Sequence, residues 1–394
     1  MKKTANILFV IAGMLFLAAA MVITIVREKD ETSYFENRAL ASMPELESET
    51  ILDGTYFTDL ETYLEDNAAG RTTLLRWKTR IDLLLQRPVV NDIVVTEDED
   101  VLVAYSDFEV IDEEEMQSDS EVMTEYLSNV NNVVTSYGGY YLYVAVPTHS
   151  YIFQEEFPWY LNSGADYIDL ALDILEDDLT EAGVPWFDLG TIYYAQDDPQ
   201  SYYYKKDHHF TMFAAFLAYQ SILEEINEET GAEIPILQEE DVTFTEIENY
   251  FLGSRGRKLF DLIPSTEHLY ALSPVNVIEY TRYDNGVLGD STTHQWLTST
   301  DETVTYAYYM GGDIAETVIE TGREDYPDIL IYGASYTNAI ETVLYLSCDT
   351  MYSLDLRYYE GSLSEYIEEN QPDYVICLTG YSEVLNTEDY EEAG

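Results

Sequence analysis

Basic residues are scarce in this chain. Eighteen lysines and arginines stand against 76 aspartates and glutamates, a formal net charge of −58 at pH 7. Nonspecific binding to nucleic acid needs a basic face, so that class is excluded. Docking on anionic lipid headgroups is disfavoured for the same reason. The acidity suits a solvated surface; a neutral or cationic partner is the sharper alternative. Cysteine is almost absent, with only Cys348 and Cys377. Each lies at the edge of an apolar run or inside one, and one pair is no disulfide framework, so two buried thiols are expected. There is no Cys-x-x-Cys and no Cys/His cluster of metal-ligand spacing, so neither a metal nor a cofactor is expected.

Long apolar runs are also missing, with one exception. Ala5 to Val26 is 22 residues without a charge, long enough for a helix through a bilayer. Ala18-Ala19-Ala20 could serve as a signal-peptide cleavage site, but the length favours an uncleaved anchor. Lys2 and Lys3 before the run and the acidic remainder place the N-terminus inside and the body outside, a single-pass protein of the cell membrane.

After the anchor region (1–30), residues 31–108 read as a small α+β preamble. It opens on the extended stretch Glu36-Asn37-Arg38-Ala39-Leu40. Tyr56, Leu60, Tyr63 and Leu64 recur at helical spacing, then Leu74, Leu75, Trp77, Ile81, Leu84 and Leu85. Asp92 to Tyr105 reads as a hairpin with an acidic turn. From about 109 to the end, apolar strands alternate with amphipathic helices: strands at 140–146, 184–188, 328–332, 351–356 and 374–378, helices between them. That pattern argues an α/β domain with a parallel sheet covered by helices on both faces. Residues 240–322 are rich in Thr, Val and Tyr, with turn signals at Asp284-Asn285-Gly286 and Gly311-Gly312-Asp313, and read as an antiparallel insertion. Within it Gly253-Ser254-Arg255-Gly256-Arg257-Lys258 is the most basic cluster outside the anchor region; it has no Walker pattern and reads as a loop. The residues from Asn386 read as a polar tail.

Histidine is rare as well, five in all, and two stand together in Lys206-Asp207-His208-His209-Phe210-Thr211. Imidazole titrates near neutrality and is the usual general base. Asp-x-His spacing can set a carboxylate against the far ring nitrogen. A nucleophile is absent locally, but Ile331-Tyr332-Gly333-Ala334-Ser335-Tyr336 carries an apolar strand into Gly-x-Ser. In parallel α/β sheets ligands bind beyond the carboxyl ends of the strands, which is where Ser335 falls. Ser335 is a candidate nucleophile or, equally by periodicity, the N-cap of the following helix. Arg357, at the next strand end, either faces the same crevice or pairs with Asp355 or Glu360. Tyr381, at the third strand end, is a candidate for the rim.

Asp207-His208-His209-Phe210-Thr211, followed by Ala215 and Tyr219, resembles the signature of the DHHW family, with Phe210 in the place of tryptophan. Glu36-Asn37-Arg38-Ala39-Leu40, Pro44, Asp66, Arg71, Asp355-Leu356-Arg357-Tyr358 and the Gly-x-Ser strand end extend the resemblance over nearly the whole chain from residue 35. That family is related to the SGNH-type alginate O-acetyltransferases. The resemblance implies an SGNH-hydrolase-like sheet and a triad of Ser335 (nucleophile), His209 (base) and Asp207. His208 is then a neighbour of the base, and Tyr336 and Arg357 shape the pocket. It implies transfer or hydrolysis of an O-acetyl ester on a cell-surface polysaccharide through an acetyl-serine. A membrane-bound O-acyltransferase is the implied acetyl donor. The chain departs from its relatives at Ala334, where they carry aspartate, and has only Asn338 as a candidate side-chain oxyanion donor after Ser335. A catalytically inactive carbohydrate-binding or scaffold protein of a cell-envelope complex is the alternative, which the 36 tyrosines would also suit.

Overall fold

The structure, a computed structural model, describes residues 2–36, 38–96, 100–106, 111–290 and 292–386. Asn37, the acidic turn at 97–99 and the tail after Asn386 lie outside the described residues. Two compact units are present: residues 1–91 with 256–263, and residues 92–255 with 264–394. The hairpin expected in the preamble therefore counts with the larger unit.

The first unit contains α1 (Lys2–Val26), α2 (Ser48–Asp53), α3 (Thr55–Asp66) and α4 (Arg71–Leu84). The apolar run of Ala5 to Val26 lies in α1 and its described apolar side chains are exposed, Phe9 and Val26 most of all. Side chains 2, 3, 5, 16, 17 and 20 lie outside the description. Among the described residues no helix is long and apolar enough to cross a membrane, so the structure does not support the predicted transmembrane helix. The conspicuous N-terminal polar residues form one network. Arg38 Nη1 donates to Asp66 Oδ2 at 2.8 Å, the backbone N–H of Ala41 donates to the same oxygen at 3.0 Å, and Arg71 pairs with Glu36 through Nη2 at 2.9 Å. Charge-assisted pairs of this kind fix an extended segment that buries little apolar surface of its own.

The second unit is built on an eight-stranded sheet. Its strands in chain order are β1 (Tyr140–Val146), β2 (Trp186–Asp188), β3 (Thr281–Asp284), β4 (Val287–Leu288), β5 (Glu316–Glu320), β6 (Ile329–Gly333), β7 (Thr350–Leu354) and β8 (Tyr374–Gly380), and their spatial order is β4-β3-β5-β7-β6-β8-β1-β2. From β7 to β2 all pairings are parallel. From β7 back to β4 they are antiparallel. The insertion thus extends the main sheet at one edge; among its described residues, Val242–Glu246 and Tyr270–Pro274 form a separate two-stranded ladder. The Asn285-Gly286 turn joins β3 to β4 with positive φ at both residues, the geometry a two-residue hairpin needs.

The helices of this unit are α5 (Glu113–Ser136), α6 (His149–Ile152), α7 (Ala165–Ala182), α8 (Leu189–Tyr194), α9 (Met212–Thr230), α10 (Ser254–Lys258, which runs on into residues of the first unit), α11 (Thr337–Leu344) and α12 (Leu363–Asn370). Side chains of the central strands alternate between two cores. Leu142, Val144, Ile331 and Ile376 pack with Ala215, Ile222 and Ile340 from α9 and α11. Tyr141, Tyr143, Tyr332 and Cys377 pack with Leu127, Leu175 and Ile367 from α5, α7 and α12. Burial on both faces explains why these strands read as unbroken apolar runs. Cys348 and Cys377 are buried free thiols, as the sequence led us to expect.

Candidate functional site

The chain leaves β6 for β7 on one side and reaches β8 on the other, through α11 and α12. That reversal opens a crevice at the carboxyl end of β6. Gly333 makes the turn possible. Its φ is +138°, and a Cβ there would lie 2.0 Å from the Leu378 carbonyl oxygen, so no other residue fits. Ser335 follows on the turn, two residues before α11. The N-cap position of α11 is Tyr336, with no side-chain cap, so Ser335 is not a capping serine. Its hydroxyl is free to face the crevice.

The Asp207–Phe210 stretch is a closed loop held from both ends. A β-bridge joins Tyr203 to Phe210, and the Thr211 N–H donates to the Tyr202 carbonyl at 2.8 Å. The backbone N–H groups of Lys205 and Lys206 donate to the Glu267 carboxylate at 2.8 and 3.1 Å. Thr211 then caps α9 by accepting from the Ala214 N–H at 3.3 Å. Phe210 is fully buried against Tyr203 and Tyr336, which is core packing that a large aromatic supplies.

This loop and the β6 turn, 126 residues apart in sequence, meet. His209 Nε2 lies 2.7 Å from Ser335 Oγ, and His209 Nδ1 lies 2.6 Å from Asp207 Oδ1. Asp207 Oδ1 also accepts from the His209 backbone N–H at 3.0 Å, and Oδ2 accepts from the Ser254 N–H at 2.6 Å. Burial alone would raise the Asp207 pKa, but the two imidazoles and the Ser254 N–H more than offset it and hold the carboxyl far below its ordinary value. An ionised Asp207 keeps the proton of His209 on Nδ1 and leaves Nε2 as acceptor toward the serine. The His209 ring is sandwiched, with Tyr306 stacked on it at 3.7 Å and 3° and His208 tilted against it at 3.6 Å.

His208 turns away from the serine. Its Nδ1 lies 2.7 Å from Ser254 Oγ, and burial together with the neighbouring His209 pushes its pKa well down. Tyr336 donates its O–H to the His208 carbonyl at 3.2 Å. Arg357 combines both sequence readings. Its guanidinium grips Asp355 with two bonds, 2.9 and 2.6 Å, reaches Asp313 at 3.2 Å, and still lines the cavity. Tyr381 does not reach the rim. It is buried, its phenol donates to the Asp188 carboxylate, and the ring packs edge-on against Tyr151. The alternation along β8 turns residue 381 under the sheet's other face. Asn338 Nδ2 donates to Asp313 at 3.0 Å, and the residue does not line the cavity. The Ser335 backbone N–H has no hydrogen-bond partner among the described residues.

The cavity over this cluster has a volume of about 290 Å³ and is lined by His149, His208, Arg255, Ser335, Tyr336 and Arg357 among others. A larger and more open groove of about 860 Å³ runs along Pro274, Tyr280, His294 and Glu320 and contains none of these groups. The smaller one is the candidate site because the hydrogen-bonded relay opens into it. Asp207, His208 and His209 bring one potential metal-ligand atom each within 4.8 Å of one another. The Asp207 oxygens and both His209 nitrogens are already engaged by each other, Ser254 and Ser335, an arrangement that suits proton transfer.

Sequence reasoning missed Ser254, Arg255, Tyr306 and His149. Gly253-Ser254-Arg255 did stand out by charge, yet it reads as a loop. Gly253 is the signal that could have found it. A Cβ there would lie 2.2 Å from the Lys206 carbonyl oxygen and 2.9 Å from the Asp207 Cβ, so glycine lets the Ser254 N–H reach Asp207. His149 is 1% exposed, and burial lowers its pKa to about 3, which keeps it neutral.

Residues 105–285 match the family model described as ALGX, the SGNH hydrolase-like domain of the acetyltransferase AlgX. Among solved structures, PatB1 of Bacillus cereus aligns at 21% identity with a TM-score of 0.62, covering 74% of this chain and 96% of that one. A second structure of it, with a sulfonyl adduct, aligns at 21% identity and TM-score 0.61 over 76% and 96% of the two chains. A DHHW family protein from Eubacterium siraeum aligns at 18% identity and TM-score 0.57 over 77% and 95%. No curated protein matches the chain significantly. The resemblance to the DHHW family and to the SGNH-type alginate O-acetyltransferases, drawn from the sequence, is borne out.

Proposed function

We propose that this SGNH-like α/β protein transfers or hydrolyses an O-acetyl ester on a cell-surface polysaccharide, with Ser335 as nucleophile, His209 as general base and acid, and Asp207 as the group that orients His209. The observation that carries the reading is the chain of hydrogen bonds Asp207–His209–Ser335, 2.6 and 2.7 Å long, at the mouth of a cavity. His209 Nε2 takes the hydroxyl proton as Ser335 Oγ attacks the acetyl carbonyl. The proton then goes to the leaving oxygen of the donor, leaving an acetyl-serine. A sugar hydroxyl, or water, gives its proton to His209 and attacks the acetyl-serine, and Ser335 leaves with that proton. The oxyanion formed in each step sits near the Ser335 N–H on the turn before α11, where a free backbone donor stabilises negative charge. Arg357, held by Asp355 and Asp313, and Arg255 put guanidinium donors on the cavity wall for an acceptor that carries a carboxylate or other polar oxygen.

The family match and the similarity in fold to PatB1 support acyl chemistry. By the same resemblance the body faces outside the cell and a membrane-bound O-acyltransferase supplies the acetyl group. Incubation with an acetyl ester tests the reading. Wild-type protein should release acetate and, when quenched with acid, carry one acetyl group on the peptide containing Ser335. A sulfonyl fluoride should label the same peptide. Ser335→Ala should lose both. Turnover undiminished in Ser335→Ala ends the nucleophile assignment; a folded wild type inert to ester and probe alike moves the protein to the class of inactive envelope scaffolds.

A further inference from the structure

The polarity of α4 is inverted. Its buried side is polar, with Thr79 1% and Asp82 5% exposed, whereas Leu74, Trp77, Ile81 and Leu84 are 67, 57, 51 and 76% exposed. The buried polar groups have partners. Asn91 Nδ2 donates to Thr79 Oγ1 at 2.9 Å, and Asp82 pairs with Lys78 at 3.0 Å and Arg87 at 3.1 Å. Nothing in the helix's own packing calls for an apolar outer face. At 3.6 residues per turn, Leu74, Trp77, Ile81 and Leu84 fall in one stripe about 80° wide. Lys78 and Arg80 fall on its two flanks, and the Arg80 guanidinium lies over the Trp77 ring at 5.6 Å.

The charge of this stretch also runs against the rest of the chain. Between residues 70 and 91 the basic residues are Arg71, Arg76, Lys78, Arg80 and Arg87, and the only acid is Asp82. The whole chain carries −58. Arg76 and Arg80 have no acidic partner among the described residues. An apolar stripe flanked by cations with long aliphatic stems is the pattern of a helix lying in a lipid interface, stems among the acyl chains and charges at the phosphates.

A third observation lies in the same unit. The Ala69 N–H, in the turn leading into α4, donates to Thr24 Oγ1 of α1 at 3.0 Å, and the Lys29 ammonium sits 5.8 Å from the Tyr63 ring. The exposed apolar side chains of α1, Ile25 and Val26 included, therefore begin beside the turn from which α4 starts. Two exposed apolar helices meet at one place, and one has a cationic border.

From these we infer that α4, together with the adjoining apolar α1, is a docking surface for an anionic phospholipid bilayer. The stripe enters the interface and Arg76, Lys78 and Arg80 meet the headgroup phosphates. A second copy of the chain pairing through this same face does not fit, because it brings the same cationic border against itself. The inference stands apart from the acyl-transfer reading and uses none of its residues.

The buried state of Cys348 and Cys377, both 0% exposed, makes the test direct. In the full chain, Ile81→Cys carries an environment-sensitive maleimide dye, and Trp159→Cys, at a site 94% exposed in the α/β unit, is the control. Vesicles of phosphatidylcholine and phosphatidylglycerol contain nitroxide-bearing lipid. The dye at 81 should shift to the blue and be quenched, and the dye at 159 should do neither. Arg76→Gln with Arg80→Gln should weaken docking about 30-fold, at roughly fivefold per basic side chain near an anionic surface, and added salt should act in the same direction. A dye at 81 that stays in water while the protein sediments with the vesicles overturns the inference, because α1 alone then holds the protein. Equal quenching by pure phosphatidylcholine overturns it by removing the anionic headgroup. Occlusion of the dye without lipid, rising with protein concentration, overturns it by assigning the face to a second copy.

Discussion

Asp207→Asn exposes the geometry of the relay most fully. The carboxylate accepts from the His209 N–H at 3.0 Å, from His209 Nδ1 at 2.6 Å and from the Ser254 N–H at 2.6 Å. Asparagine has the same shape but turns one acceptor into a donor. If its oxygen faces His209, its NH₂ meets the Ser254 N–H, donor against donor. If it is turned over, its NH₂ meets the His209 backbone N–H and forces Nδ1 to be the acceptor. The imidazole proton then sits on Nε2, 2.7 Å from Ser335 Oγ, where no base remains. Either orientation leaves a buried donor unsatisfied, at about 1–3 kcal/mol. The turned form also has the wrong tautomer, which costs a serine protease triad about 10⁴ in kcat. The expected result is a loss of roughly 10³–10⁴ in kcat/KM on an acetyl ester with the fold intact, about 1–3 kcal/mol less stable in denaturant unfolding. Labelling by a sulfonyl fluoride should slow in proportion. Ser335→Ala and the double variant should fail equally, because triad members act as a unit. A folded Asp207→Asn retaining more than about a tenth of the wild-type rate refutes the tautomer argument, since that argument asks for a loss near 10⁴.

Arg357→Gln should cost about 1 kcal/mol, because Asp355 loses its bidentate partner on a half-exposed side chain. It should raise KM for an anionic polymeric acceptor and leave a small neutral acetyl ester unaffected; comparison of the two substrates decides. Gly253→Ala should displace Asp207 and abolish activity, since its Cβ meets the Lys206 carbonyl oxygen at 2.2 Å; a fully active variant contradicts the role given to Ser254. Gly333→Ala should cost about 3 kcal/mol or more, read by thermal unfolding, for a φ of +138° and a backbone clash at 2.0 Å. In the first unit Arg38 holds Asp66 down at about 2. A depressed carboxyl contributes stability above its unfolded pKa near 3.9 and loses it as pH falls through 2. Asp66→Asn should therefore lower stability by about 1 kcal/mol at pH 6, after discounting for the exposed Arg38, with the difference vanishing toward pH 2. A difference that does not change with pH refutes the linkage.

The sequence by itself determined the parallel core. Strands such as Tyr140–Val146 and Tyr374–Gly380 are buried on both faces, and that burial is written into the chain as unbroken apolar runs. It also determined the Asp207–His209 half of the relay, because that contact spans two residues and needs only a local turn. The reach of α4 was legible from its spacing, but its sidedness was not. Periodicity finds the apolar stripe and does not say that Thr79 and Asp82, not Leu74 and Trp77, face inward. Tyr381 failed for the same reason, since a strand end gives the level of a residue in the sheet and not its face. Tertiary structure alone decided the other half of the relay. His209 and Ser335 are 126 residues apart, and Ser254 and Tyr306 come from an insertion whose strands β3 to β5 join the main sheet at its edge. Contacts of that kind depend on which strand lies beside which, and chain pattern encodes the strands without encoding their order.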